Sequence, residues 1–348
     1  MINARGSGEA GLLSRRFAAQ GLSHRSRETV TELAGRLAGL QAQDTGALRL
    51  SVRARVTGLT AEQVRAECAE PGALVRTWLM RGTLHLVPAV DVRWMLDLFG
   101  ARNVAANAGR RKQLGLDEKT CRKAMAALPE ILDGGAALSR ADLVKELLDR
   151  KVPIDPSGQA PAHLMAYAAG HGLICRGPDL DRDEPGYVLL DAWAPAAREV
   201  DDPVAELARR YAAAYGPADA QDFASWSGLP LSTAKAAFPQ IAKVARGQSG
   251  SPVVRLLGAY DTYLLGYRDR TPALDAAYAK RIQAGGGVIH PSVCVDGRIA
   301  GRWRLERKRA ARVVVEPFGS TLDGLREQLQ AEAADVGRFL GEPVTLAG

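Results

Sequence analysis

Two glutamines, Gln41 and Gln43, stand two positions apart just after a segment with helical spacing of its apolar residues. On an extended chain their carboxamides lie on the same side, because side chains alternate with a period of two. On a continuing helix they would diverge by about 200°. Each carboxamide oxygen accepts hydrogen bonds, so a pair on one side could hold a water molecule. Two exposed glutamines on a loop also fit the pattern, and Gln-x-Gln alone does not decide between them.

A second group of polar residues consists of Arg81, Thr83 and His85, which alternate with Leu84 and Leu86. On a strand the three polar side chains would share one face and the leucines the other. Such a stripe could line a groove, and it is equally typical of the solvated side of an amphipathic strand. His85 has no second ligand at a useful spacing, so no metal site is predicted.

Aromatic and basic residues alternate near the C-terminal third of the chain. Tyr267, Arg268 and Arg270 combine a ring with two guanidiniums, which suits stacking on a base and contact with phosphate. Strand alternation would place Arg302 and Arg304 on one face, where they could contact phosphates. The alternatives are local Arg–Asp pairing that shapes a turn and an ordinary solvated strand face.

Length and composition describe an ordinary folded protein. The 348 residues are 47% hydrophobic and 24% charged, enough for two or three domains. No apolar run approaches the roughly 18 residues of a membrane span, and the first residues lack an apolar secretory segment, so we expect a cytoplasmic protein. The four cysteines are scattered, which argues against a disulfide framework or a zinc site and favours buried thiols.

Positive charge is concentrated at the two ends of the chain. The net charge of +7 divides into +7 over residues 1–134, −5 over 135–202 and +5 over 203–348. Two basic ends around an acidic middle could present a concave face to a polyanion such as DNA. Genome bias also explains the excess, since 37 of the 46 basic residues are arginine.

Three stretches repeat one order of elements, in which helices separated by a short turn precede two strands around a loop. This is the winged-helix arrangement. Beyond residue 253 the pattern changes to short apolar strands and a closing helix. The predicted helices are 28–40, the helix capped by Thr60, 139–148, 160–170, 203–215, 220–226, 231–238 and 321–340; the predicted strands are the hairpin 75–87, 173–176, 187–190, 253–257, 262–265, 287–290, 293–295 and 313–315.

The predicted fold class is therefore α+β, with three tandem winged-helix motifs followed by a C-terminal antiparallel β-barrel-like domain. The expected domains are winged helix 1 with the Gln-x-Gln motif, winged helix 2, winged helix 3, and a β-rich domain with a closing helix. Their boundaries are 1–90, 91–200, 201–252 and 253–348.

Taken together, the segments Gln41-Ala42-Gln43, 81–85, 264–270 and 296–303 resemble the AlkZ/YcaQ-like DNA glycosylases, from about residue 12 to residue 340. The resemblance implies three winged helices and a C-terminal barrel, in agreement with the element pattern. It also implies catalytic roles for Gln41 and Gln43. The family's other branch has aspartate at the second position, so this chain is similar to the AlkZ branch, whose members are associated with self-resistance in antibiotic producers.

The function implied by this resemblance is hydrolysis of the N-glycosidic bond of N7-alkylated purines in double-stranded DNA, including crosslinks and bulky adducts. No lysine is indicated as a Schiff-base nucleophile, so we expect a monofunctional enzyme with water as the nucleophile. The expected DNA contacts are Arg81, Thr83, His85, Tyr267, Arg268, Arg270, Arg302 and Arg304. No cofactor, metal or membrane partner is expected, and the protein should be monomeric.

A non-catalytic winged-helix regulator is the alternative that the sequence leaves open. In a regulator Gln41 and Gln43 would be ordinary polar residues. Such a protein usually forms a dimer and prefers one operator sequence. A glycosylase should bind DNA in a salt-dependent and largely sequence-independent way.

Overall fold

The structure is a computed structural model that describes residues 4–181, 184–238 and 251–348. Two compact units make up the chain. The split unit combines Met1–Val64 with Val204–Gly348, and the central unit is Arg65–Pro203.

The elements follow one another along the chain in this order. The first part of the split unit contains α1 (Ala4–Ala19), α2 (Val30–Arg36), β1 (Leu40–Gln41) and α3 (Thr45–Arg55); α4 (Ala61–Cys68) runs across the boundary. The central unit contains β2 (Leu74–Trp78), β3 (Leu84–Pro88), α5 (Val92–Ala106), α6 (Ala108–Gln113), α7 (Glu118–Ile131), α8 (Arg140–Asp149), α9 (Ala160–Gly170), β4 (Ile174–Asp179), β5 (Pro185–Leu189) and α10 (Leu190–Trp193). The rest of the split unit contains α11 (Pro203–Tyr215), α12 (Ala220–Ser227), α13 (Leu231–Ala237), β6 (Val254–Leu257), α14 (Thr262–Leu265), α15 (Ala279–Ile282), β7 (Gln283–Gly285), β8 (Val288–Ile289), β9 (Ser292–Val295), β10 (Arg298–Arg307), β11 (Ala311–Pro317), α16 (Arg326–Leu340) and β12 (Val344–Leu346).

In the central unit the four strands pair antiparallel in the order β3-β2-β4-β5. The β2–β3 hairpin places Thr77 opposite His85. A core of aliphatic side chains from α7, α8 and α9 includes Leu128, Leu147 and Leu164. Burial of this many apolar side chains stabilises the unit by the hydrophobic effect.

In the split unit, β6 and β9 to β12 form a five-stranded sheet in the order β12-β11-β10-β9-β6. The turn between β9 and β10 is Asp296-Gly297, with φ values of 49° and 92°, as expected for the left-handed residues of a tight hairpin. Helix α16 packs Leu329 and Val336 into the core of this sheet.

Several predicted elements are confirmed with their bounds. Helices α9 and α11 coincide with the predictions 160–170 and 203–215. Thr60 and Gln63 form the reciprocal capping hydrogen bonds expected before α4. Ser139 accepts a hydrogen bond from the Asp142 backbone N–H at the start of α8. The α+β class is also confirmed.

Two predictions about the C-terminal region are wrong. Residues 262–265 form the short helix α14 instead of a strand, because the Asp261 side chain accepts a hydrogen bond from the Tyr263 N–H and caps a helical turn. The sheet is not purely antiparallel, since β12 pairs parallel with β11. In the described part of the chain β6 and β12 are the edge strands of this sheet and do not pair with each other. Closure of the sheet into a barrel is therefore not confirmed.

The winged-helix count and the four domain boundaries stay predictions. The segment in which the wing of the third motif was expected includes residues 239–250, which lie outside the described residues.

Candidate active site

The glutamine pair lies in a short extended segment between α2 and α3. Helix α2 ends at Arg36 with Leu37 as its C-cap, and the chain then passes through Ala38 and Gly39 with φ values of 53° and 110°. Left-handed backbone of this kind is uncommon for a non-glycine residue such as alanine. It redirects the chain out of the helix, so that Gln41 follows in the short strand β1 and Gln43 lies two residues further on, before α3 begins at Thr45.

The two carboxamides are joined directly. Gln41 Nε2 donates a hydrogen bond of 2.9 Å to Gln43 Oε1. This contact confirms that the side chains lie on the same side of the segment. Gln41 is only 7% exposed, whereas Gln43 is exposed. The buried glutamine therefore orients the exposed one.

Both ends of the segment are fixed within the split unit. The Tyr215 hydroxyl donates a hydrogen bond of 3.2 Å to the Leu37 carbonyl oxygen at the end of α2. Asp44 caps α3, since its Oδ1 accepts a hydrogen bond of 2.6 Å from the Ala47 N–H. A site held at both ends and internally hydrogen-bonded meets the requirement that functional groups be preorganised.

This arrangement leaves oxygen acceptors for a ligand. Because the Gln41 NH2 group donates to Gln43, the Gln41 Oε1 and the second lone pair of Gln43 Oε1 can accept hydrogen bonds. Both groups are neutral and present the negative end of an amide dipole. Such a pair can hold water and favour a cation close by without acting as a strong base.

Arg81 does not lie on the predicted strand face. It occupies a 3-10 turn, Met80–Gly82, at φ 54°, and β3 begins only at Leu84. Thr83 follows the turn, and its Oγ1 donates a hydrogen bond of 3.0 Å to the Met80 carbonyl oxygen. The predicted alternation from Arg81 is therefore wrong, because a tight turn interrupts the strand before Thr83. The Arg81 side chain is exposed.

His85 is buried, with an exposed fraction of 3%, which contradicts the alternative of a solvated strand face. Its Nδ1 donates a hydrogen bond of 3.0 Å to the Thr83 carbonyl oxygen, which fixes the tautomer with Nε2 as acceptor. Burial, with a smaller contribution from the Arg81 charge, lowers the pKa of His85 to about 3, although the hydrogen bond to Thr83 acts in the opposite direction. The imidazole is neutral at physiological pH.

Tyr267 is a core residue, 5% exposed, so it does not offer the free ring that stacking on a base requires. The Arg16 guanidinium lies 3.8 Å from the ring centroid, and the Tyr267 hydroxyl donates to the Tyr215 carbonyl oxygen. Arg268 is exposed and hydrogen-bonded to Gln221. Burial lowers the pKa of the half-buried Arg270.

Arg302 and Arg304 share one face of β10, as predicted, with Trp303 buried on the other. Both guanidiniums, however, pair with Glu316, at 3.2 Å for Arg302 and 2.7 Å for Arg304. Arg304 also pairs with Glu306. These carboxylates neutralise much of the charge that a phosphate would meet.

Sequence reasoning missed a buried ion pair between Arg55 and Asp261. Arg55 donates to both carboxylate oxygens of Asp261, at 2.7 and 2.9 Å, and both side chains are about fully buried. Asp261 stands inside the segment chosen for its aromatic and basic residues, but nothing in the sequence indicates a partner 206 positions away.

In the part of the chain that the structure describes, no group of three histidine, cysteine, aspartate or glutamate side chains could hold a metal ion. Nor is any helix among these residues long and apolar enough to cross a membrane.

The fold is that of a DNA glycosylase of known structure. The Streptomyces sahachiroi DNA glycosylase AlkZ superimposes with a TM-score of 0.77 at 24% identity, over 97% of this chain and 99% of that chain. A relative from the same organism, described as an interstrand DNA cross-link repair glycosylase, is 26% identical over 357 aligned residues, covering 94% of this chain and 95% of the relative.

The family model for DNA glycosylase AlkZ-like proteins matches residues 34–339, a range that includes the glutamine pair. The protein belongs to the AlkZ-like DNA glycosylase family.

Proposed function

We propose that this protein hydrolyses the N-glycosidic bond of N7-alkylated purines in double-stranded DNA and unhooks interstrand crosslinks made at that position. The observation that supports it most directly is the hydrogen bond between Gln41 and Gln43, inside the range matched by the family model. The description of the S. sahachiroi relative supports the extension to crosslinks.

The proposed reaction does not require a general acid at the site. An N7-alkylated purine is already cationic, so the C1′–N9 electron pair moves onto the base without a general acid. Water adds to C1′ as this bond breaks, and the products are a neutral alkylated base, an abasic sugar and a proton released to solvent. The site must stabilise positive charge on the sugar and place the water, and two neutral amide oxygens do both.

The two glutamines have different tasks in this proposal. Gln43 is exposed, so its Oε1 holds the water or faces the sugar. Gln41 is buried and donates to that same oxygen, so it is a positioning residue for Gln43 and offers its own Oε1 as a second acceptor.

DNA contact is proposed for those of the predicted residues whose side chains reach the surface at least in part. His85 and Tyr267 are left out because both are buried. The contacts that remain are Arg81, Thr83, Arg268, Arg270, Arg302 and Arg304. Arginines of this kind contact phosphates and give salt-dependent binding with little sequence preference.

The test is release of 7-methylguanine from a duplex with a single N7-methylguanine, followed by heating in alkali to reveal abasic sites. We expect release without strand cleavage before the alkali step. Borohydride should trap no covalent DNA adduct, because a carboxamide nitrogen does not form a Schiff base. Absence of release from both this duplex and an N7-crosslinked duplex would contradict the proposal, and a trapped adduct would contradict the monofunctional mechanism.

Changing Gln43 to aspartate is expected to reduce selectivity for alkylated bases. A carboxylate stabilises the sugar cation more strongly and can accept a proton from water, so less activated purines should gain more than N7-methylguanine does. We expect the ratio of release rates, N7-methylguanine over unmodified purine, to fall about tenfold.

The matched control is Gln330→Asp, which introduces the same charge at an exposed position of α16 in the same unit. Its ratio should equal that of the wild type. An unchanged ratio in Gln43→Asp would show that the neutral amide is not the source of selectivity.

A further inference from the structure

The central unit contains a pocket of about 290 Å³ between the end of α5, α6, α9 and the strands β2 and β4. This size is near the lower limit of pockets that hold small organic molecules, roughly 300–1,000 Å³. Residues of the proposed active site do not line it. Its lining includes Trp78, Leu84, Arg111, His163, Tyr167 and Arg176.

The described side chains that line this pocket carry positive charge only. Among the described residues that line it are Arg111 and Arg176 but no carboxylate. Burial lowers the pKa of Arg176, as expected for a cation held away from water. Its Nε–H is buried and has no hydrogen-bond partner within the described chain. A buried donor without an acceptor is destabilising, so this position favours a ligand that brings an acceptor oxygen.

Both guanidiniums lie against aromatic rings. The central carbon of Arg111 is 4.8 Å from the centroid of the Tyr167 ring, and that of Arg176 is 5.3 Å from the Trp78 ring. A guanidinium in this position keeps its N–H edge for the two-pronged recognition of a phosphate. Arg111 uses one N–H on the Val104 carbonyl oxygen, at 2.7 Å, which fixes its direction.

A neutral imidazole also lines the pocket. Partial burial and the charges of Arg110 and Arg111 lower the pKa of His163, so it is uncharged at physiological pH. A neutral imidazole both donates and accepts hydrogen bonds. The rest of the lining combines apolar side chains, among them Leu84, Val104 and Ala166, with the carboxamides of Asn103 and Asn107.

We infer that this pocket binds a nucleotide, with its phosphate on Arg111 and Arg176 and its base or sugar against the apolar side chains of the lining. An inorganic phosphate alone would leave the apolar side chains of the lining uncovered, and an apolar molecule alone would place no anion beside the two arginines. The choice of a nucleotide over other organic phosphates rests on the DNA substrate of the family. The nucleotide is either part of a DNA strand or free in solution, and the same contacts serve both.

Calorimetric titration of the full chain with deoxyadenosine monophosphate tests this inference. We expect saturable binding, with deoxyadenosine and inorganic phosphate each binding at least tenfold more weakly. Arg111→Gln and Arg176→Gln should each weaken binding at least tenfold. Arg110→Gln is the matched control, because Arg110 is the exposed neighbour of Arg111 on α6 and does not line the pocket. Its affinity should stay within twofold of the wild type.

Arg111→Lys, which keeps the charge, serves as the second variant if Arg111→Gln does not fold, and thermal unfolding of each variant identifies that case. Duplex DNA added to the nucleotide complex separates the two sources: displacement identifies a DNA strand, and retention identifies a free nucleotide. No saturable binding to the wild type, or equal binding by Arg111→Gln, Arg176→Gln and Arg110→Gln, would overturn the inference. Base release is not measured in this test, so its failure is distinct from failure of the proposed glycosylase activity.

Discussion

Gln43→Ala is expected to lower the rate of 7-methylguanine release about 100-fold or more. The substitution removes the oxygen that accepts the hydrogen bond from Gln41 and that we propose holds water or faces the sugar cation. Loss of one preorganised electrostatic contact to a transition state typically costs a factor of 10² to 10³. The measurement is single-turnover release at saturating DNA, which isolates the chemical step from binding.

The variant should fold and bind DNA as the wild type does, because Gln43 is exposed. Anisotropy with a labelled duplex and urea unfolding check both points. Gln330→Ala, an exposed glutamine removed from α16, should release the base at the wild-type rate. A Gln43→Ala variant within threefold of the wild type would mean that the reacting bond lies elsewhere.

Gln41→Ala separates positioning from direct contact. It leaves the Gln43 oxygen in place but removes the donor that orients it. If Gln41 acts mainly through Gln43, the double variant should lose little more than Gln43→Ala alone, since groups that act as a unit are not additive.

Arg55→Ala is expected to lower the free energy of unfolding by about 3–5 kcal/mol, the range for breaking one partner of a buried ion pair. Arg55 is fully buried, and its loss leaves the Asp261 carboxylate in the core without a counter-charge. The other acceptors that lose a donor are Ser51, Gln20 and Thr262. Urea unfolding at neutral pH measures the effect.

Acid should reduce the difference in the free energy of unfolding between the wild type and Arg55→Ala. Burial by itself would raise the pKa of Asp261, but the Arg55 charge and hydrogen bonds hold it below its usual value. The wild-type pair therefore stabilises the protein above the unfolded pKa, about 3.9, and this contribution is lost as the pH falls through the lower folded pKa. In Arg55→Ala no cation offsets the burial of the Asp261 carboxylate, so this group binds a proton more readily in the folded protein. Because the protonated carboxyl is neutral, acid removes the cost of burying its charge. The difference should be smaller at about pH 4 than at about pH 7.

Arg304→Ala is the control, because its side chain is half exposed and its pairs with Glu306 and Glu316 lie at the surface. Such pairs contribute about 0–1 kcal/mol. An equally small loss in Arg55→Ala would contradict a stabilising role for the buried pair.

Some local features of the structure could be predicted from the sequence. An extended chain after the first predicted helix would place the two glutamines on one side, and this was one of two alternatives that the sequence left open. The helix expected over 28–40 ends at Arg36, which leaves room for that segment. The bounds of α9 and α11 were also predicted from the sequence. Contacts between near neighbours in the chain are set by backbone periodicity, and the sequence contains that information.

Long-range partners were decided only by the tertiary structure. Strand alternation made His85 a candidate for DNA contact, and interleaving with arginines did so for Tyr267. The fold, however, buries His85 in the β2–β3 hairpin and covers the Tyr267 ring with Arg16. The pairing of Arg302 and Arg304 with Glu316 comes from the register of β10 and β11, which no local pattern specifies.

The sequence by itself therefore determined the class of elements, the family and the glutamine pair, because each depends on residues close together in the chain. The sequence did not determine which arginines can contact a phosphate, because an arginine can instead pair with a carboxylate far away in the chain. Arg55 pairs in this way with Asp261. A charged side chain has the same local pattern whether it faces solvent or a buried carboxylate. Only the packing of distant segments makes the distinction, since desolvation and ion pairing arise when those segments meet.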